Sequence, residues 1–553
     1  MKQQFLTFFL LSTLLLRSQN SVKMLNTQDL SVDQKIGQLF AIAIPLSSPR
    51  SILEKYCQII NRYAIGSVLL DRPGTIKQQI GIVNYLQTNC IIKPLIIQDL
   101  ENGLFMRLYD GLRFPRAITC GAIQNDDLIY QMAREIGREC KLLGVDINTA
   151  PVVDIVCNAH NIMKERSFGQ DKENVLNKAR AYVNGILSEN IYPCLKHFPG
   201  LGATINDPHL ELLNLPYEKE ILHTRELYPF TQLIPIAPCI MSAHMCVPAY
   251  DSRTNYSATL SHNIITDLLK KELKFDGIII TDALRMEALT KHFNTATLTY
   301  ESFKAGNDIL LCPQPIAEAI NAIKNAIEAK KISEQELDAK VTKILQAKNK
   351  LNVSDKRTFD KKTIDEQVTE KLFTNYAKEL KKELFFAALT LLDSAHAIPV
   401  SQLCNLSYVQ IGGIYNNTLI TELQKYYPEL SSIILENTPR GCDINELLYQ
   451  MEYADTVIIS LFNLNSDQAL NFGIAPNALT IINKIAKTKN IILVICGSPY
   501  CLKLFEHIPT IILAYEDDPD AQEAAAQTIA DIFKPTGKLP VTISSRFELG
   551  TGN

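Results

Sequence analysis

Tryptophan is absent from this chain of 553 residues. Its indole often forms the flat platform on which a ligand stacks, so any such platform here must be built from Tyr or Phe. A basic excess is also lacking, because 55 Lys and Arg face 59 Asp and Glu and leave a formal net charge of -4. We therefore expect no nucleic-acid partner, since the phosphate backbone is bound by concentrated positive charge.

A disulfide framework is not indicated either. The number of cysteines is odd, 13, and no C-x-x-C occurs. Most lie in apolar runs, as Cys194 and Cys239 do, which is typical of buried free thiols. No Cys/His cluster has zinc spacing, no P-loop is present, and Gly412-Gly413 does not complete a dinucleotide fingerprint. We expect no metal and no cofactor.

Long hydrophobic runs are missing except at the N-terminus. Lys2 precedes an apolar run from Phe5 to Leu16, which is too short to span a bilayer and fits a signal peptide. We predict a signal peptide over residues 1–22, and export to the periplasm or the extracellular space without a stable membrane span. An uncleaved anchor, or a start at Met24 and a cytoplasmic protein, are the alternatives. The free thiols mildly favour a cytoplasmic protein, because an oxidising compartment promotes disulfides.

What the chain does contain is apolar residues, 46% of the total, enough for a large core in two or three domains. Over residues 28–350, short apolar runs alternate with helical patterns about eight times, which predicts an α/β fold of the (β/α)8, TIM-like barrel type. A first helix is expected to include Val32, Ile36, Leu39 and Phe40, which recur at helical spacing.

A second alternating region follows. Residues 351–378 are polar and charged, and we interpret them as a linker leading into a helix. Over residues 379–553, apolar runs at 407–412, 431–435, 456–460, 490–496 and 510–515 alternate with helices. This pattern predicts a doubly wound α/β sandwich domain.

Polar residues end several apolar runs of the predicted barrel, namely Asp99, Asp154, His197, His244 and Asp282. Each alone is more often a turn former or a helix cap. Because the carboxyl ends of barrel strands converge on one face, where barrels carry their chemistry, the recurrence indicates a functional site.

The loop at 196–209 carries a cation, two imidazoles and a carboxylate among Gly and Pro residues. Asp207 and His209 are separated by one residue, so the carboxylate could orient and polarise the imidazole. A polar surface loop with a capping Asp is the more frequent explanation of such a pair. The loop alone leaves both interpretations open.

From Gln34 onward, the motifs together resemble glycoside hydrolase family 3, specifically its β-N-acetylhexosaminidase branch. They comprise KIGQLF from Lys35, D-x-E-x-G-x-x-x-R from Asp99 to Arg107, APVVDI from Ala150, RSFGQD from Arg166, KHFPGLG from Lys196, D-x-H from Asp207, MSAH from Met241, SATLS from Ser257, FDGIIITDAL from Phe275, GSP from Gly497 and TGKLPVT from Thr536.

The resemblance implies a retaining mechanism with Asp282 as the nucleophile that forms a glycosyl-enzyme. It also implies that His209, paired with Asp207, is the acid/base. An imidazole suits this role because its ordinary pKa lies near neutrality. Asp282 could open a helix whose N–H groups keep the carboxylate ionised.

Sugar binding is implied for Asp99, Arg107, Arg166, Lys196 and His197. By itself, Arg107 could equally form a buried ion pair with Asp99 or with Glu101. His244 could pack at a strand end or support the site from behind.

The chain departs from the branch at two loop positions, where Leu201 and Ala203 replace a His and an acidic or amide residue. These losses affect groups that could fix the closed loop, not the Asp207/His209 pair. We therefore expect an exo-acting β-N-acetylglucosaminidase that releases terminal GlcNAc from peptidoglycan fragments or chito-oligosaccharides. The alternatives are a β-N-acetylglucosaminide phosphorylase, a β-glucosidase and a catalytically degenerate sugar-binding protein.

Overall fold

The computed structural model describes residues 25–552 except 157, 203–210, 354–367, 369, 402–403, 415–416 and 440–443. The signal-peptide prediction falls on residues outside this range, so export stays a prediction. Most of the predicted linker also lies outside the described residues. No helix in the described part of the chain is long and apolar enough to cross a membrane.

Within the described residues, the strands form two large sheets and one small pair. They are β1 Phe40–Pro45, β2 Ser67–Asp71, β3 Leu95–Gln98, β4 Ile147–Asn148, β5 Tyr192–Phe198, β6 Leu213–Asn214, β7 Cys239–Ser242, β8 Met245–Cys246, β9 Ile278–Thr281, β10 Leu310–Leu311, β11 Thr390–Asp393, β12 Leu406–Ile411, β13 Ser431–Leu435, β14 Thr456–Leu461, β15 Asn490–Ile495 and β16 Thr510–Leu513.

Helices lie between these strands. The longer ones are Val32–Gln38, Arg50–Tyr63, Ile76–Asn89, Asp126–Leu142, Lys172–Ser188, Asn263–Glu272 (a π-helix), Thr295–Ala305, Ile316–Glu328, Glu334–Lys350, Asn375–Ala388, Thr418–Tyr426, Ile444–Gln450, Pro476–Ala486 and Pro519–Ile529. Short ones are Thr27–Asp29, Leu104–Met106, Ala117–Gly121, Lys219–Thr224, Tyr228–Leu233, Ala258–Leu260, Glu287–Thr290, Gln468–Gly473 and Pro499–Phe505.

The first large sheet is a nearly closed barrel. Its eight strands follow the order β10-β1-β2-β3-β4-β5-β7-β9, and every pair in it is parallel. An isolated parallel bridge between Ile280 and Ile309 links its two ends. The predicted (β/α)8 barrel is therefore confirmed.

The start of the barrel differs from the sequence-based expectation. The first helix ends at Gln38, and Phe40 begins β1 instead of continuing the helix. Leu39 and Phe40 are fully buried, so their apolar character fits a helix face and a central strand equally well. Pairing of β1 with both β2 and β10 decides between them.

The run at 144–154 also forms less strand than its apolar length suggests, because β4 comprises only Ile147 and Asn148. Pro151 cannot donate a ladder hydrogen bond. The chain beyond β4 instead crosses toward β5, where Val152 pairs with Lys196 in an isolated bridge.

The second large sheet has six strands in the order β11-β16-β15-β14-β12-β13. Five of them are parallel, as the doubly wound prediction requires, and the edge strand β11 runs antiparallel to β16. Strand β11 was not among the strands predicted from the sequence. Helices Asn375–Ala388 and Pro519–Ile529 pack together, and the former also packs on barrel helix Asp126–Leu142.

Candidate active site

A cavity of about 450 Å³ lies at the carboxyl ends of the barrel strands. It is lined by Leu69, Asp71, Asp99, Met106, Arg107, Thr149, Arg166, Lys196, His197, Met241, Asp282, Ala283, Arg285, Met286 and Leu311. Six of the eight predicted site residues are in this set. The other two, Asp207 and His209, lie outside the described residues. Among the described residues, in this cavity or outside it, no three His, Cys, Asp or Glu side chains are arranged to hold a metal ion.

Lys196 is the cation at the centre of the cavity. Its side chain is buried, and its Nζ lies 3.0 Å from Asp99 Oδ1 and 2.8 Å from Glu101 Oε1. The pairing of β5 with β7 shifts register between Leu195 and Phe198. Such an irregularity re-aims side chains at a strand end, and here it affects the two residues that reach the cavity.

Asp99 is held ionised by its neighbours. Arg107 Nη2 donates to its Oδ2 at 2.6 Å, and the Thr149 hydroxyl donates to Oδ1. Burial alone would raise the pKa of Asp99, but the charges of Lys196 and Arg107 lower it overall. Arg107 therefore forms the ion pair with Asp99 that the sequence left open, and it also lines the cavity. Its role in sugar binding stays a prediction.

Glu101, the Glu of the D-x-E motif, contacts the site but was not among the site residues predicted from the sequence. Arg166 donates two hydrogen bonds to Glu101, from Nη2 to Oε1 at 2.5 Å and from Nε to Oε2 at 3.0 Å. Burial would raise the pKa of Glu101, but Arg166 and Lys196 lower it to about 2. The carboxylate therefore keeps both cations in place.

His197 is fixed by a buried carboxylate. Its Nδ1 lies 2.8 Å from Asp154 Oδ2, and Asp154 Oδ1 accepts the N–H of Leu201 at 2.8 Å. Asn161 donates to the Leu201 carbonyl at 2.7 Å. The Leu201 side chain is buried. These hydrogen bonds hold the N–H and the carbonyl of Leu201, at the position where the family branch has a His. Position 203 lies outside the described residues.

Asp282 follows β9 directly. Its Oδ1 accepts the N–H of Ala283 at 2.7 Å. Burial would raise its pKa, but the charges that His244 and His197 can carry, together with this N–H, lower it overall. The expected helix N-terminus is not the cause, because the next helix begins only at Glu287.

His244 supports Asp282 from behind. Its Nε2 lies 3.1 Å from the Ala283 carbonyl and its Nδ1 lies 2.9 Å from Thr259 Oγ1. It does not line the cavity. The imidazole therefore holds the carbonyl of Ala283, the residue whose backbone N–H orients the Asp282 carboxylate.

The profile of the glycosyl hydrolase family 3 N-terminal domain matches residues 31–347. The chain belongs to glycosyl hydrolase family 3. It is accordingly a glycoside hydrolase that acts on a carbohydrate, and the resemblance found in its motifs is confirmed.

Three similar proteins illustrate the family 3 relationship. "Beta-hexosaminidase A" of Pseudoalteromonas piscicida is 26% identical over 550 residues, covering 88% of this chain and 90% of that protein. A family 3 β-N-acetylglucosaminidase structure from Paenibacillus sp. superposes with a TM-score of 0.79 at 25% identity, covering 93% and 99%. The β-glucoside phosphorylase BglX shares the fold, with a TM-score of 0.79 at 21% identity, covering 93% and 95%.

One further pair in the family 3 cavity was not anticipated. Arg285 Nη2 lies 2.5 Å from Asp71 Oδ2, joining the segment after β9 to the end of β2. Burial would raise the pKa of Asp71, but Arg285 and the Arg72 backbone N–H lower it overall. Asp71 could have been predicted as a site residue, because it ends an apolar run of the barrel just as Asp99 does.

Proposed function

We propose that this protein is a retaining exo-β-N-acetylglucosaminidase that releases terminal GlcNAc from chito-oligosaccharides or peptidoglycan fragments. The observation that carries this is the partly buried Asp282, whose pKa its neighbours lower and which lines the same cavity as Lys196 and its ion-pair partner Asp99. A nucleophilic carboxylate opposite fixed hydroxyl-binding groups is what retaining hydrolysis requires.

In the first step, Asp282 attacks the anomeric carbon. The N–H of Ala283 occupies Oδ1, so Oδ2 is the oxygen that forms the new bond. The bond from the anomeric carbon to the glycosidic oxygen breaks, and protonated His209 donates its proton to that oxygen. The product is a glycosyl ester on Asp282 and a free leaving group.

In the second step, water replaces Asp282. His209, now neutral, takes a proton from the water as its oxygen attacks the anomeric carbon, and the ester bond to Asp282 breaks. Two inversions give net retention and return both residues to their starting states. Asp207 serves as the partner that orients His209 through both steps.

The terminal sugar is positioned by the charged cluster. The ionised Asp99 accepts hydrogen bonds from adjacent hydroxyls, and Lys196, Arg107 and Arg166 are cationic donors in the same cavity. Because these cations are tied to Asp99 and Glu101, they are held in place before substrate arrives. Such preorganisation reduces the cost of ordering the site on binding.

A phosphorylase is the second candidate. A neutral imidazole as acid/base, unlike a carboxylate, does not repel an incoming phosphate dianion. The shared fold with a β-glucoside phosphorylase is compatible with either outcome. A β-glucosidase and a sugar-binding protein without turnover complete the alternatives.

One experiment separates these candidates. An aryl N-acetyl-β-glucosaminide and the matching aryl β-glucoside are incubated with the protein, with and without inorganic phosphate, and the product anomer is followed by NMR. We expect phosphate-independent release of β-GlcNAc and slower turnover of the glucoside. Formation of GlcNAc-1-phosphate would establish the phosphorylase, and an α-anomer as first product would contradict retention.

A further inference from the structure

Two buried cysteines meet between the helices that flank strand β2. Cys57 lies on the buried face of helix Arg50–Tyr63, and Cys90 caps the end of helix Ile76–Asn89. Their Sγ atoms are 3.7 Å apart, and the two residues are 4% and 2% exposed. The thiols are therefore in contact, although 33 positions separate them in the chain.

The backbone around Cys90 is fastened to the helix that carries Cys57. Asn61, one turn after Cys57, donates from Nδ2 to the Asn89 carbonyl at 2.9 Å and accepts the N–H of Ile91 at 2.7 Å. These two hydrogen bonds hold the chain on both sides of Cys90. The fold therefore sets the position of the two sulfurs, which need to approach by only about 1.7 Å more to reach bonding distance.

Two lysines lie at the Cys90 end of the pair. Lys93 Nζ donates to the Cys90 carbonyl at 2.7 Å, and the buried Lys348 donates to the Lys93 carbonyl at 2.9 Å. Burial and the neighbouring Cys57 raise the pKa of the Cys90 thiol to about 12, and the two lysines offset only part of this rise. Because the thiolate is the attacking species, oxidation should be slow near neutral pH and faster at alkaline pH.

Cys90 is the thiol that a reagent reaches first. The next residue, Ile91, is 78% exposed, so this end of the helix lies at the surface. Helix ends open more readily than helix interiors. Cys57, by contrast, lies within a helix of 14 residues, so its sulfur becomes accessible later than that of Cys90.

We propose that Cys57 and Cys90 form a disulfide when a disulfide donor of the glutathione type is present. The Cys90 thiol loses its proton to the solvent, its sulfur attacks one sulfur of oxidised glutathione, and one glutathione thiolate leaves. The Cys57 thiol then loses its proton, its sulfur attacks the Cys90 sulfur, and the second glutathione thiolate leaves. Two protein thiols are oxidised, one oxidised glutathione is reduced to two glutathiones, and these take up the two protons.

The disulfide ties together the helices on either side of β2. Asp71, at the end of this strand, lines the catalytic cavity and pairs with Arg285. Closing a loop in the unfolded chain stabilises the folded state, so oxidation should stabilise the part of the barrel that carries Asp71. Such a bond persists in the periplasm or outside the cell and is reduced in the cytoplasm. It is independent of the proposed glycosidase function.

The test follows the folded, full-length protein in buffer with oxidised glutathione at pH 8 until its composition stops changing. Oxidation should lower the mass by about 2 Da, and peptide mapping without reduction should find the peptides of Cys57 and Cys90 joined. The melting temperature should rise by roughly 5 °C and return to its first value after treatment with dithiothreitol. This reversal in the unaltered protein serves as the readout if a cysteine variant fails to fold.

Cys57→Ser and Cys90→Ser should each abolish both the mass loss and the temperature shift. Cys404→Ser, at a half-buried cysteine of the second domain, is the matched control and should retain both. Free thiols at positions 57 and 90 after oxidation, or glutathione retained on either one, would overturn the proposal. A bond between other cysteines, such as Cys194 and Cys239, which lie opposite each other on β5 and β7, would also overturn it.

Discussion

The barrel and the second sheet use the same building unit, a buried parallel strand followed by a helix, but they arrange polar strand ends differently. In the barrel, closure brings Asp99, Lys196 and Asp282 to one cavity. In the open sheet, the strands lie side by side, so Ser498 and Glu516 form an edge that meets the barrel. Closure of the barrel therefore gathers charged side chains in one cavity, whereas the edge of the open sheet supplies contacts to the barrel.

The largest effect is expected from Asp282, because the barrel cavity is proposed to carry the chemistry. Asp282→Asn keeps the shape of the side chain but removes the nucleophile, so kcat should fall by about 10⁴-fold or more. Steady-state assays with the aryl N-acetyl-β-glucosaminide measure it. Asp276→Asn is the control, since Asp276 is an almost fully exposed carboxylate before the same strand. Unchanged activity of Asp282→Asn would refute its assignment.

The acid/base assignment is tested by leaving-group dependence. His209→Ala should lower kcat/KM by about 10²–10³-fold for (GlcNAc)2, whose leaving alcohol needs a proton, and far less for an activated aryl glycoside. Comparison of the two substrates gives the result directly. His262→Ala, at a half-exposed histidine, is the control. Equal losses on both substrates would argue against the acid role.

The sequence alone predicts some parts of the fold and not others. Apolar run length and alternation predict the barrel, because each buried strand needs its own apolar segment. They do not place Phe40, whose burial satisfies helix and strand alike. They also do not reveal β11, a short edge strand of four residues adjoining a buried helix end.

The site, too, could be predicted from the sequence only in part. Motif order identifies Asp99, Lys196 and Asp282, but not which groups pair with them. Arg285 and Asp71 are 214 positions apart, and only the closure of the barrel shows that they meet. The N–H that orients Asp282 comes from Ala283 and not from a helix start, which depends on backbone angles that residue type does not determine.

The edge of the second sheet is tested through Glu516. Replacing it with Ala leaves Arg113 and the Thr119 hydroxyl without their buried acceptor, which should destabilise the protein by about 3 kcal/mol. Denaturant unfolding measures the change. The exposed Glu548→Ala should have almost no effect. Equal stability of the two variants would contradict the role of Glu516 in joining the sheet to the barrel.

A smaller, pH-dependent effect is expected from Glu226, which lies beneath the loop that follows β5. A Cβ on Gly200 would come within 2.6 Å of Glu226 Oε2. Burial, which Arg225 only partly offsets, raises the pKa of Glu226 to about 8. The folded state therefore holds a proton that the unfolded state releases near pH 4.5, so this group's contribution falls as pH rises from about 4.5 to 8.

Glu226→Gln removes this dependence. Between pH 5 and pH 8, the melting temperature of this variant should fall less than that of the unaltered protein, and its free energy of unfolding should gain about 3 kcal/mol relative to the unaltered protein. Calorimetric scans at both pH values measure it. Glu220→Gln, at an exposed carboxylate on a nearby helix, should leave the pH dependence unchanged. Parallel behaviour of Glu226→Gln and the unaltered protein would show that Glu226 titrates normally.

The most direct test of the central claim is to trap the glycosyl-enzyme. A 5-fluoro N-acetylglucosaminyl fluoride slows both chemical steps but releases its leaving group readily, so the covalent intermediate accumulates. Digestion and mass spectrometry should then find the sugar on the peptide that contains Asp282, at one equivalent per chain. Labelling of another carboxylate, or turnover without any labelled peptide, would contradict Asp282 as the nucleophile of a retaining enzyme.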